Sequence, residues 1–358
     1  MAHKPTKVPV QLAARDFTRD DMMILPDSPE EPYRQRKDEE KKAIHDGQLK
    51  LALSEIQFFT HFWDPIAVPK PVAIYAGAAP GLHIPLIALL FPQIEFHLYD
   101  PKKFSIEPSE KIHIYQQYFT DNDARKWTGR KDVFFISDIR TVSYKTLSTE
   151  ANEKAIIEDM RRQEMWYKEV SPVKALLKFR PPYAYDFIPP YFRYLAGYLF
   201  KQAFAPQTTT ETRLVPYGTT EADYDVAKYG NQMFYHNTII REQTQFNNPF
   251  TEDLTPIDPP ELTNDFDSVL EAYILSEYMI KMSGAESATQ ENVVGLSRVI
   301  MNKLTEHQVE KVTVATLRQG PVKSTTQLAE IRREQKVKER RGGKTPTRTP
   351  TRTPTKKP

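Results

Sequence analysis

The sequence predicts a doubly wound α/β fold, a mostly parallel central sheet with helices on both faces. Three observations predict it. Apolar runs of strand length recur at 71–76, 94–100 and 132–138, with helical patterns between them. A glycine turn, GAAPG at 77–81, joins the first run to a helical pattern. Charged residues close apolar runs: Asp100 and Asp138 end two of these, Lys178 ends a further one, KALLK at 174–178, and ligands of open α/β sheets bind at the carboxyl ends of parallel strands.

The elements follow in order. Residues 1–45 are polar and Pro-rich and read as an extended arm that ends in the charge run RQRKDEEKKAIHD. From Gly47, GQLKLALSEIQFFTHF carries apolar residues at Leu49, Leu51, Leu53, Ile56, Phe58 and Phe59, the spacing of an amphipathic helix. PVAIYA (71–76) is the first strand, LHIPLIALLF a short buried helix despite Pro85, and IEFHLYD (94–100) the second strand. DVFFISD (132–138) is a third buried strand, 148–169 is helical in pattern, and SPVKALLKFR (171–180) is a fourth strand. TRLVPYG (212–218) is a later strand, and two amphipathic helices are expected at about 262–282 and 288–305, after the Pro-rich stretch at 255–260. The expected divisions are an arm at 1–45, a catalytic domain at 46–308, and a basic, largely disordered tail at 309–358 whose TPTR repeats hold no apolar residue to bury.

Charge and composition narrow the function classes. From Ile331 to the end stand eleven Lys/Arg against two Glu, and because the whole chain is only +2 the rest carries −7. A mildly acidic body with a basic tail fits local binding of a defined ligand, with a tail able to reach a polyanion or simply to keep the chain dissolved. Of the 358 residues 39% are hydrophobic, enough for a core, and none is cysteine, which excludes disulfides, thiolate catalysis and cysteine-ligated metal. The first residues lack the apolar stretch of a signal peptide and no run is long enough to span a bilayer, so no membrane is expected.

The glycine turn is the first candidate site. Gly77 permits a tight turn after the strand, Gly81 would let a ligand approach the helix start, and Pro80 suits a first helical turn. Asp100 ends the next strand, where an acid grips the ribose hydroxyls of a nucleoside. The pattern is not GxGxxG, which favours S-adenosylmethionine (SAM) over a nicotinamide dinucleotide. Asp138 and Lys178 close strands and Glu211 precedes one. A reversed strand at 212–218 would bring Glu211 to the edge that holds the other two. Singly each reads as a turn residue, a snorkelling lysine or a surface charge; together they point to a shared site.

Five stretches, GQLKL (47–51), YAGAAPGLHI (75–84), ISDIR (136–140), LKFR (177–180) and APQTTTETRL (205–214), resemble in order and spacing the poxvirus-type cap-specific mRNA (nucleoside-2′-O-)-methyltransferases. That family also serves as the regulatory (small) subunit of the viral poly(A) polymerase. The resemblance runs over roughly residues 30 to 305 and implies a Rossmann-like SAM-dependent methyltransferase fold. It places the Lys-Asp-Lys-Glu tetrad on Lys50, Asp138, Lys178 and Glu211, although Lys50 by its helical spacing alone would read as a solvated lysine. It implies SAM contacts at Gln48, Tyr75, Gly77, Pro80, Gly81 and Asp100, with the adenine near Phe119 and Thr120.

In the implied reaction the ribose 2′-oxygen of the first transcribed nucleotide attacks the SAM methyl in line. Lys178, in its neutral form, takes or steers the hydroxyl proton, and Asp138 and Glu211 orient the groups. The methylated cap guanine would lie between Tyr33 and Tyr183 by stacking and cation–π attraction. Tyr33 stands two residues out of place relative to Lys50 and Asp186 one residue out of register as the guanine-edge acid. The position of a second acid falls near Asn237, which carries none. Arg140 and Arg180 are candidate phosphate contacts, with an ion pair to a neighbouring acid as the alternative. The implied partners are capped mRNA and the catalytic subunit of a poly(A) polymerase, in the cytoplasm of an infected host cell and in the virion. The reading from a different class is a non-catalytic RNA-binding processivity subunit, a role that can coexist with catalysis.

Overall fold

The computed structural model describes residues 14–35, 44–141, 147–251 and 262–305; the basic tail expected at 309–358 lies outside them. The first elements are β1 (Arg15–Asp16), α1 (Ile44–Phe62), β2 (Val72–Ala76), α2 (Ile84–Leu90), β3 (Glu95–Tyr99), β4 (Ile112–Tyr115), α3 (Asp121–Trp127) and β5 (Val133–Ser137). Then come α4 (Thr149–Val170), β6 (Lys174–Phe179), β7 (Tyr191–Phe200), β8 (Thr212–Asp225) and α5 (Val226–Tyr235). Helix α5 runs through a π-type turn (His236–Ile240) into α6 (Arg241–Gln243), followed by β9 (Phe246–Asn247), α7 (Phe266–Ser283) and α8 (Gln290–Thr305).

Among the described residues, seven strands form the central sheet in the order β4-β3-β2-β5-β6-β8-β7. Strands β4, β3, β2, β5 and β6 pair in parallel. β8 is antiparallel to β6 and to β7, so it alone runs in reverse. This arrangement confirms the predicted α/β class and the reversed strand after Glu211. The alternation of side chains along a strand splits the core into two layers. Phe134 and Ile136 of β5 face a cluster with Leu53, Ile56, Phe58 and Phe59 of α1 and Leu270 of α7. Val133 and Phe135 face the opposite cluster, with Ile156 and Met160 of α4 and Val226 of α5.

Several elements differ from expectation for identifiable reasons. Helix α1 is buried on nearly every face, because α7 and α8 cover the side turned away from the sheet. Pro85 does not interrupt α2, since it sits in the first turn, where no intrahelical donor is lost. Pro80 is not helical: it lies in the turn before α2, whose first residue is Ile84. β7 follows a Pro-rich stretch and was not expected; β8 continues past the predicted end at 218 because β7 pairs with it as far as Asp225.

Residues 14–35, assigned to an arm, lie along this body. Met23 bridges to Phe200 at the edge of β7, and Ile24 N donates to Leu199 O at 2.9 Å. The Gln232 amide of α5 donates to the carbonyls of Leu25 and Ser28, each at 3.1 Å. Among the described residues no helix is long and apolar enough to cross a membrane.

Candidate active site

The carboxyl ends of β2, β3, β5 and β6 open onto one cleft of about 970 Å³, the upper part of the range for small-molecule sites. Gly77, Ala79, Asp100, Phe119, Thr120, Asp138, Arg140 and Lys178 line it. Gly77 is there by necessity. Its φ is +84°, and a Cβ would come within 2.9 Å of the Asp138 carbonyl carbon and of Ile139 N, so only glycine lets the ends of β2 and β5 pass so closely. Asp100 is held by backbone donors, Ala79 N at 3.2 Å and Lys102 N at 2.8 Å. Thr120 caps α3 in a reciprocal box with Asp123. Phe119 is wedged edge-on between Tyr99 and Trp166, at 5.0 Å from each ring.

The four tetrad residues meet beside this cleft. Lys50 Nζ donates to Glu211 Oε1 at 2.9 Å. Lys178 Nζ lies 3.0 Å from Asp138 Oδ1 and 3.3 Å from Glu211 Oε2. Helix α1 supplies Lys50, β5 and β6 bring Asp138 and Lys178 to adjacent strand ends, and the reversed β8 begins just after Glu211. A fifth member was missed from sequence. Arg213, 2% exposed, is the register partner of Lys178 across β6 and β8 and donates to Asp138 Oδ1 at 2.6 Å and Glu211 Oε1 at 3.4 Å. Nothing in TRLVPYG marks this arginine as inward-facing; alternation from an inward Glu211 was the one available signal.

Three cationic side chains thus share two carboxylates. Burial opposes ionisation of Asp138, but Lys178 and Arg213 outweigh it and bring its pKa down to about 2. Glu211 is likewise buried and is held well below the usual carboxylate range by Lys178, Lys50 and Arg213. Lys50 is pushed down by burial, with Arg213 and Lys178 adding to the shift and Glu211 opposing it. Two anions do not saturate three buried cations.

Gln48, Tyr75, Pro80 and Gly81 do not line the cleft. Gln48 is buried and turned toward His83, whose backbone N lies 3.3 Å and ring Nδ1 2.9 Å from Gln48 Oε1. Tyr75 is buried and lies within electrostatic reach of Asp138 and Arg213. A Cβ on Gly81 would meet Ile106 at 3.2 Å and Phe104 at 3.4 Å, so this glycine makes room for the loop after β3. Arg180 is buried and paired in bidentate fashion with Glu153, at 2.9 and 3.0 Å, which corrects its assignment to RNA phosphate. Arg140 does line the cleft, with its Nη2 4.0 Å from Glu211 Oε2.

Tyr33 and Tyr183 do come together, but directly: their rings stack at 4.9 Å and 27°. A ring inserted between them needs about 7 Å, two van der Waals gaps, so the expected sandwich is closed here. The cause is local anchoring. Asn231 Oδ1 accepts from Tyr33 N at 2.9 Å, Glu153 accepts from Tyr183 N at 3.1 Å, and the Arg180 guanidinium covers Tyr183 at 4.0 Å. Asp186 is exposed on the loop beyond. Asn237 is structural: its amide donates to Thr209 O at 2.7 Å and so fixes the segment leading to Glu211.

A single reversed strand next to the last in an otherwise parallel sheet, with a ligand cleft at the carboxyl ends, defines the Rossmann-like methyltransferase class. The chain belongs to the Poly A polymerase regulatory subunit family, whose model matches residues 20–306. It is similar to the cap-specific mRNA (nucleoside-2′-O-)-methyltransferases of Myxoma virus strains Lausanne and Uriarra, 26% identical over 223 residues. The match spans 58% of this chain and 65% of theirs, just under two thirds of the curated relatives' length. The bluetongue virus protein VP4, described as a multifunctional RNA-capping production line, superposes with a TM-score of 0.38 and 14% identity, over 69% of this chain and 41% of that one. So loose a superposition defines no common fold.

Proposed function

We propose that this chain transfers a methyl group from SAM to the ribose 2′-hydroxyl of the first transcribed nucleotide of capped mRNA. One observation carries the reading: two lysines, an arginine and two carboxylates from four separate segments converge beside a nucleoside-sized cleft. Such a concentration of buried charge is costly for a purely structural purpose.

The cleft fits the cofactor. Gly77 lets the ends of β2 and β5 meet at the cleft, Asp100 stands where ribose hydroxyls are gripped, and Phe119 and Thr120 form a wall suited to adenine. SAM, when bound, supplies an electrophilic methyl on a positively charged sulfur. The protein's part is orientation and proton handling. Lys178 lines the cleft whereas Lys50 does not, so Lys178 is the amine placed to receive the ribose proton. Asp138 and Glu211 fix its position, and Arg213 fixes theirs. Arg140, at the cleft wall, is placed for a phosphate of the RNA.

Capped RNA as the substrate rests on the relatives' description and on Tyr33 and Tyr183, whose rings would have to part by about 2 Å to admit a methylguanine. The family description also supports a second role, as a partner of a poly(A) polymerase. The test incubates the protein with methyl-labelled SAM and either capped or uncapped RNA. Label in the first transcribed ribose of the capped RNA is expected. Binding of SAM without transfer to either RNA would overturn the enzymatic reading and leave the polymerase-subunit role.

A further inference from the structure

At the opposite end of β3, away from the cleft, three side chains converge that the methyl-transfer reading does not use. Glu95 and His97 lie two residues apart on β3 and therefore share one face of the sheet. His113 is the register partner of His97 on the parallel strand β4, so the two imidazoles are side by side, stacked with centroids 4.6 Å apart. Both rings turn the same atom to the same point: His97 Nε2 and His113 Nε2 each lie 2.9 Å from Glu95 Oε1. The three donor atoms all fall within 4.8 Å of one another.

We propose that Glu95, His97 and His113 form a binding site for a divalent first-row transition ion, which clamps the edge strand β4 to β3. Imidazole selects such ions, whereas Mg²⁺ and Ca²⁺ prefer carboxylates, carbonyls and water. At a zinc–ligand distance of about 2.0–2.2 Å, donor atoms of a tetrahedral site stand about 3.4 Å apart, so each ring needs to draw back from the carboxylate by about half an ångström, with the two ring nitrogens, already within 4.8 Å of each other, settling to the same spacing.

The surroundings suit a ligand set. Tyr115 Oη lies 3.1 Å from His97 Nδ1, an oxygen of the kind that fixes ligand tautomers by accepting the other ring N–H and leaving the Nε2 lone pair for the ion. Arg130, a cation that would otherwise oppose an ion here, is taken up by Asp132 at 2.6 and 2.9 Å. The side chains of Glu95 and His113 are more than a third exposed, while His113 Nε2 itself is shielded and makes no hydrogen bond of good geometry, a nitrogen with its lone pair still to be used. Strand β4 is four residues long and at the sheet edge, where an added cross-strand link has most to stabilise. The stacked pair Tyr99 and Tyr115, 4.5 Å apart, continues from this site to the cleft wall.

The test strips the full-length protein with a chelator, re-equilibrates it with micromolar Zn²⁺, removes free metal by gel filtration and counts zinc by mass spectrometry. The unaltered protein is expected to retain one equivalent and to melt at a higher temperature with Zn²⁺ than without. His97→Gln and His113→Gln, with folding checked by circular dichroism, lose both effects. No retained zinc in the unaltered protein, or equal retention in the two variants, overturns the assignment. A second readout leaves the ligands intact. Co²⁺ at this site quenches Trp127, whose ring lies 4.7 Å from that of His97, so Trp127→Phe removes most of the Co²⁺-dependent fluorescence change; an undiminished change overturns the site.

Discussion

A guanidinium with no access to water must find its hydrogen-bond acceptors inside the protein, and Arg213 finds them in Asp138 and Glu211. Truncating such a group leaves buried carboxylates without their partner. Arg213→Met is therefore expected to cost about 3–5 kcal/mol, read as a lower urea midpoint; a variant as stable as the parent would show that the two lysines suffice. This residue also marks how far side chains were legible. Asp138 and Lys178 announce themselves as charges ending apolar strands, and Glu211 as a charge before one. Lys50 became visible only through the family resemblance, because an exposed and an inward lysine look alike on a helix buried all round. Arg180 shows the converse: two residues beyond a tetrad lysine it reads as a phosphate ligand, yet its partner Glu153 sits 27 residues earlier on α4, a pairing that no local pattern carries.

Helices α7 and α8 hold a group whose ionisation sets the stability of the element pair. Glu271 is fully buried, and burial pushes its pKa up to about 7, with Asp265 and Asp267 adding to the rise and a hydrogen bond from Ser297 opposing it. A carboxyl group raised in the folded state stabilises fully below its unfolded value and loses that contribution as pH rises through about 7. Melting temperature is therefore expected to fall between pH 5 and pH 8, by the equivalent of at most about 3 kcal/mol. Glu271→Gln, neutral at both pH values, flattens the profile and melts higher than the parent at pH 8. An identical pH profile in the variant would place the titrating group elsewhere. Elements with steady apolar periodicity were legible, as were α4, α7 and α8 to within a few residues. β4 and β7 were not: the first is four residues in a polar stretch, and the second follows prolines that mask a strand pairing made only in three dimensions.

For the molecule as a whole, the parallel order and the reversed strand were legible because strand and helix alternate and because Glu211 gains a purpose only if its strand runs backwards. The stacking of Tyr33 on Tyr183 was not, since it depends on how the segment 14–35 is fastened to β7 and α5. The buried cluster also sets the acid limit of the fold. A carboxylate with a depressed pKa stabilises above its unfolded value, near 4, and loses that contribution as pH falls through about 2. Acid unfolding is expected to centre below pH 4, and Asp138→Asn, which lacks this share, to show a shallower dependence there; equal slopes would mean that Asp138 is not ionised in the fold.

Methyl transfer at this site requires Lys178 to handle the ribose proton while Gly77 and Asp100 hold the cofactor independently of it. Lys178→Ala, assayed in parallel for SAM affinity and for methyl transfer to capped RNA, separates the two. The expected result is SAM binding within about twofold of the parent with transfer reduced to background. Turnover retained in the variant would contradict the assignment.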